Sequence, residues 1–395
     1  HYPDRSRFFG FFSLCVSATV GVALAGNLLT FVIFYEALTL ATYPLIAHRG
    51  TPEATRGANV YLAYTMTGGA LLLIGSVWLR VLSGPVDFVA GGVLAQLPTE
   101  VEGELKVIFF LLIGGLGVKA ALVPLHGWLP VAMVAPAPVS ALLHAVAVVK
   151  AGAFGIVRVI YDVYGVEFAN GQGLLTLLAV LASATILYGS VRALSEDGLK
   201  KRLAYSTVSQ VSYIALGASI FGPIATIGGL VHLVHQGIMK ITLFFCAGNY
   251  AETLGVHRVS EMDGVGRRMP WTTLAFSVGA LGMIGIPPIA GFVSKWYLAL
   301  GAVHADMGWV LLVLAASSLL NAGYFLPILF RAWFREPPLE WPSEQIRARR
   351  LETMGALLWP PLITAGFSLA AGLFAASDFS PLAWASLIAS REYGP

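Results

Sequence analysis

The sequence predicts an all-α, polytopic membrane protein of about eleven transmembrane helices, arranged as two inverted five-helix repeats with broken helices. Three observations predict it. Hydrophobic residues make up 57% of the 395 residues and charged ones 11%, against roughly 45–50% and about 25% in soluble domains. Apolar runs long enough to cross a bilayer recur along the whole chain, and mean hydropathy is +0.77. The cations, finally, fall mostly on one side of the implied membrane. A soluble core of this size is excluded, and spread cations exclude a nucleic-acid partner.

Eleven hydrophobic segments follow one another at about 8–26, 28–47, 57–83, 107–125, 136–161, 173–194, 203–221, 223–250, 271–300, 308–334 and 354–376. Breakers and charges mark the loops, as in "AHRGTPEATRG", "SEDGLKKR" and "REPPLEWPSEQIRARR". The final "PLAWASLIAS" is too short to span. If the segments alternate, sixteen of the 24 Lys/Arg share one side: Arg5, Arg7, Arg49, Arg56, Arg192, Lys200, Lys201, Arg202, Arg258, Arg267, Arg268, Arg331, Arg335, Arg347, Arg349 and Arg350. Only Arg80, Lys106, Arg158 and Arg391 fall on the other. That split places residue 1 on the cytoplasmic side of an inner membrane. The opening "HYPDRSRFF" begins on His1 and runs straight into an apolar stretch, so further residues are expected upstream.

Four cations remain inside the membrane: Lys119, Lys150, Lys240 and Lys295. All are lysine, and a desolvated lysine can release its proton where arginine cannot. Lys150 lies about 11–14 residues from either helix end, roughly 16–21 Å, too far for its stem to reach water by snorkelling. Glu36, in "FVIFYEALTLATYPLI", is the only acid well inside a predicted span and needs a partner on another helix. His232, His235 and Lys240 share "GGLVHLVHQGIMKITLFF", and the i, i+3 spacing puts both histidines on one face. Imidazole titrates near neutral pH, so they read as proton relays, with His144 a weaker candidate. No acid or cysteine stands near them, so no metal is expected. Cys15 and Cys246 lie in separate apolar runs and read as small buried hydrophobes, not cluster ligands. No cofactor and no catalytic redox site are expected.

Two segments read as broken helices. The fourth runs into "VPLHGWLPVAMVAPAPVS" and the ninth holds "GMIGIPPIAGFVSK", each with a lysine. Breaks at such depth free backbone groups and tend to line polar pathways. They stand five segments apart, and an odd unit repeated once returns upside down. This divides the chain into a first repeat at 1–165, a second, inverted one at 166–335, and a C-terminal loop and last helix at 336–395, the first two each forming an ion half-channel.

The stretches "FYEALTLATYPLI", "GVKAALVPLHGWLPVAMVAPAPVSALLHAVAVVKAG", "LKKRLAYSTVSQVSYIALG", "HQGIMKITLFFCAG" and "GIPPIAGFVSKWYL" resemble the antiporter-like subunits of respiratory complex I, membrane-bound hydrogenases and Mrp-type sodium/proton antiporters, the D-type Mrp protein and its relatives above all. The resemblance implies a fold of fourteen helices, of which these eleven look like the fourth to fourteenth. It implies that Glu36 and Lys119 form a Glu–Lys pair, that Lys150 is the central lysine, Lys240 the second-half lysine and Lys295 the terminal lysine at the exit. His232 matches a family histidine eight residues before the second-half lysine. Gln236 departs from a histidine often found four residues before it, and the adjacent His235 is the expected substitute. The function implied is translocation of protons, with or without Na+, by one subunit of a multisubunit membrane complex whose other membrane subunits are its partners in the lipid bilayer. A non-transporting anchor and a stand-alone secondary transporter are the rival readings.

Overall fold

The computed structural model describes residues 4–344 and 351–394. His1 and the loop cations Arg347, Arg349 and Arg350, on which the orientation partly rests, lie outside them. The first five segments are α1 (Arg5–Leu24), α2 (Leu28–Ile46), α3 (Pro52–Ser83), α4 (Glu102–Lys119) and α5 (Ala137–Tyr164). The next five are α6 (Leu174–Ser195), α7 (Leu199–Ser219), α8 (Pro223–Leu254), the pair α9 (Pro270–Ile284) and α10 (Ala290–His304), and α11 (Trp309–Phe334). A last long helix, α12 (Gly355–Leu373), precedes the short α13 (Pro381–Tyr393).

Local chemistry sets several of these boundaries. Asn27 accepts from Thr30 N and starts α2. Thr51 caps Ala54 N with Pro52 at the first helical position, so α3 begins five residues before the apolar run that marks it. Helix α8 also starts on a proline, and both helices are 32 residues long.

Eight described helices are long and apolar enough to cross a membrane. The other three segments read from the sequence are helical too, but composition masks them. α4 carries Glu102, Glu104, Lys106 and Lys119. α7 opens on Lys200, Lys201 and Arg202 and buries Ser206, Thr207, Ser209, Gln210 and Ser212. The third is cut in two, as its glycines and prolines predict.

The two expected breaks share a construction. Ala121 has φ 58° and is followed by a cis Val123–Pro124 bond; Gly285 has φ 98° and is followed by a cis Pro287–Pro288 bond. Each pair of positions is 164 residues apart. α5 is irregular in a way the sequence does not signal: residues Leu142–Val146 and Val159–Tyr164 are π-helical. Such wide turns gather at functional sites, and the first ends shortly before Lys150.

At the far end of α5, Arg158 and Arg391, which the charge count places on one side, meet at Asp162, at 2.8 and 3.1 Å. Tyr393 of α13 adds a hydroxyl bond to Thr226 at 3.0 Å, and Thr226 bonds Tyr161 at 2.7 Å. The short C-terminal helix is thereby tied across the ends of α5 and α8.

Candidate functional site

All four intramembrane lysines are buried, with exposures of 0% for Lys119, 6% for Lys150, 0% for Lys240 and 9% for Lys295. Among the described residues none of them has a carboxylate within 4.0 Å. Their amines bond only to carbonyls and hydroxyls.

Lys119 ends α4 just before the first break. It donates to the Tyr35 carbonyl and lies 3.3 Å from the centre of the Tyr35 ring. Glu36, the next residue, is within electrostatic reach but does not pair directly. Both its oxygens are buried without a hydrogen-bond partner. They press on Gly69 of α3, where even a methyl group would overlap them. The expected Glu–Lys couple is therefore two neighbouring titratable groups without a direct bond, with Tyr35 holding the amine.

Gly152 lets α5 lie against the α4 backbone here; a methyl there would come within 2.8 Å of the Lys119 carbonyl carbon. Two residues earlier, Lys150 crosses to α8 and donates to the Leu233 carbonyl at 2.7 Å. Gly237, one turn on, lies close to the α5 backbone: a methyl there would stand 3.1 Å from the Ala145 oxygen, and in ordinary contact with Lys150 Cε at 3.8 Å. His144, in the π turn, packs on Phe244 at 4.8 Å and lies within electrostatic reach of Lys240.

The two histidines of α8 do share a face. His232 Nδ1 bonds Ser294 Oγ at 2.8 Å, next to Lys295, and its ring stacks on Tyr213 at 5.1 Å. His235 is turned toward the backbone at Ala290 on the same helix, α10. His232 is within electrostatic reach of both Lys150 and Lys295. The nitrogens of His144 and His235, His232 Nε2, and the amides of Gln210 and Gln236 are buried without hydrogen-bond partners among the described residues. Orphaned buried polar atoms of this kind are where ordered water bonds.

Lys240 donates to Ser206 Oγ at 2.7 Å and to the Leu203 carbonyl at 3.3 Å. Ser206 also bonds Tyr324 Oη at 2.8 Å, and Tyr324 reaches Asn321 Oδ1 at 2.6 Å. Asn321 Nδ2 donates to the Met283 carbonyl at 3.1 Å. Lys295 donates to that same carbonyl at 3.0 Å, to Ile284 at 2.9 Å and to Ser318 Oγ at 3.0 Å. The freed carbonyls of the second break are what hold the terminal lysine. Sequence patterning does not single out Ser206, Tyr324 and Asn321. The one signal for them is an amide inside an apolar run, in "SLLNAGYFLP".

A family model described as NADH:quinone oxidoreductase/Mrp antiporter, TM, matches residues 25–321. The chain belongs to that family. The match takes in Glu36, both breaks and all four buried lysines, so the family first suggested by motifs is established over the site itself. Among its relatives is NADH-quinone oxidoreductase subunit N of Desulforudis audaxviator, 35% identical over 94% of this chain and 75% of that protein. Hydrogenase-4 component B of Escherichia coli is 33% identical over 73% of this chain, which spans 44% of that longer protein. In the structure of the Mrp complex from Dietzia sp. DQ12-45-1b, one chain is similar with a TM-score of 0.86 at 26% identity, covering 98% of this chain and 78% of that one.

Proposed function

We propose that the protein is a proton- or cation/proton-translocating subunit of a multisubunit membrane complex, working in the cytoplasmic membrane beside other membrane subunits. Protons move along Lys150, His232 and His235, Lys240 and Lys295, with Glu36 and Lys119 setting the charge at the head of the line. The observation that carries this is the bonding of the four lysines. A structural ammonium at such depth is paired with an acid, because an unpaired buried charge is strongly destabilising. These four have only neutral acceptors, which also serve a neutral amine, and buried imidazoles with unpartnered nitrogens, His144 and His232, stand within electrostatic reach of them. Each lysine can then gain and lose its proton without dismantling the fold. Residues 1–165 and 166–335 form the two half-channels of this reading, and partner subunits supply the energy. An anchor that only docks partners gains nothing from four buried, unpaired lysines.

The test is proton flux in vesicles carrying the chain with its native partners, driven by an imposed potassium diffusion potential and read with a pH dye. Flux is expected in the wild type and a loss of about tenfold or more in Lys295→Met. Equal flux in vesicles with and without the chain, in the presence and absence of a sodium gradient, would refute it.

A further inference from the structure

The hydrogen-bonded line between Lys240 and Lys295 contains two hydroxyls whose protons can turn, those of Ser206 and Tyr324. Tyr324 carries a single hydroxyl proton, and two oxygens stand within its reach, Ser206 Oγ at 2.8 Å and Asn321 Oδ1 at 2.6 Å. The rest of the residue is held. Its ring is fully buried against Phe325, with centroids 4.6 Å apart. Arg202 Nη1 donates to its backbone carbonyl at 3.0 Å, in the turn ahead of Pro327, where proline leaves one helical bond unmade. The side chain stays and the proton turns.

We propose that Tyr324 is a hydroxyl switch through which the charge of Lys240 controls the hold on Lys295, an inference that rests on the translocation reading above. As an ammonium, Lys240 is a donor only and bonds to Ser206 Oγ. Ser206 then donates to Tyr324, and Tyr324 to Asn321. Asn321, anchored through its oxygen, keeps its amide on the Met283 carbonyl, the oxygen that Lys295 also uses. A neutral Lys240 has a lone pair and accepts from Ser206 instead. Ser206 Oγ in turn accepts from Tyr324, and Asn321 Oδ1 loses its donor. The amide loosens, and the Met283 carbonyl is left to the Lys295 ammonium. A proton arriving on Lys240 thus weakens the hold on the proton of Lys295, and its departure strengthens it. Repulsion between the two ammonium groups acts with the same sign. The other groups within electrostatic reach of Lys240 are Lys150 and His144, on α5, and neither touches this line.

The experiment measures proton flux through the assembled complex for Tyr324→Phe, Ser206→Ala and Ser206→Thr, beside wild type and Lys240→Met. Ser206→Ala, which removes a hydrogen bond to the Lys240 amine, and Tyr324→Phe, which removes two neutral ones, are expected to assemble normally and to lower flux by about tenfold. Ser206→Thr keeps the hydroxyl and restores most of the flux. In infrared difference spectra taken during titration with ring-labelled tyrosine, a tyrosine C–O band should shift in the wild type and be missing from Tyr324→Phe and Lys240→Met. Wild-type flux and an unchanged band in Tyr324→Phe, with Lys240→Met inactive, would overturn the switch and leave the translocation reading standing. Absence of flux in the wild type would overturn both. Should Tyr324→Phe fail to assemble, the serine pair decides: equal flux in the Ala and Thr variants overturns the switch.

Discussion

Replacing Lys150 with methionine is expected to stabilise the protein and stop transport at once. The Lys150 side chain is 6% exposed, and its one hydrogen-bond partner is the Leu233 carbonyl at 2.7 Å. Losing that charge-assisted bond costs about 1.5–3 kcal/mol. Keeping an ammonium out of water costs several kcal/mol, which only a well-placed counter-charge offsets, and no carboxylate lies within 4.0 Å. Methionine fills the same unbranched volume without a charge, and the Leu233 carbonyl remains bonded within α8. The balance favours methionine by about 1–3 kcal/mol, in the range found when buried charges are replaced by apolar residues. The assay is the melting temperature of the purified complex together with proton flux in vesicles. A lower melting temperature in Lys150→Met would show that the charge holds the structure and refute the reasoning. Lys150→Arg keeps the charge but cannot release the proton, so it too should be inactive. Wild-type flux from the arginine variant would mean that charge alone suffices.

In a double-mutant cycle of Glu36→Gln and Lys119→Met, proton flux should show non-additive effects. The coupling should lie below about 4 kcal/mol, the value for unit charges at 4 Å near a protein surface, and additivity would show that the two charges act separately. Asp162→Asn removes the shared acid between Arg158 and Arg391. It should loosen α13 by about 1–3 kcal/mol, limited by the half-exposed Arg391, and speed proteolysis after the last long helix; an unchanged cleavage rate would argue that the Glu392 and Tyr393 contacts suffice to dock it.

Much of this was legible because apolarity and charge are written residue by residue. Both helix breaks follow from glycine and proline, and Lys150 from its distance to water. The residues alone say only that Glu36 needs a partner on another helix; the family resemblance names Lys119, and neither points to the Tyr35 carbonyl and ring that take the amine, since a backbone acceptor leaves no trace in residue type. The widened turns of α5 hold no glycine or proline that would announce them. Ser206 and Tyr324 escaped for another reason. A hydroxyl is nearly neutral on a hydropathy scale, and its partner here lies 118 residues away along the chain.

The two breaks are alike in shape and unlike in content. Counted at their offset of 164 residues, Ala121 and Gly285 correspond, but Lys119 falls opposite Met283, and Lys295 opposite Val131. Two identical halves related by inversion would present the same face to both compartments. A molecule of that symmetry has no means of telling forward from backward. Here one half carries its lysine ahead of the break and the other carries it behind. In the two-half-channel reading proposed above, an inverted pair of repeats is a palindrome, and the unequal placement of two amines is what would give it a reading direction.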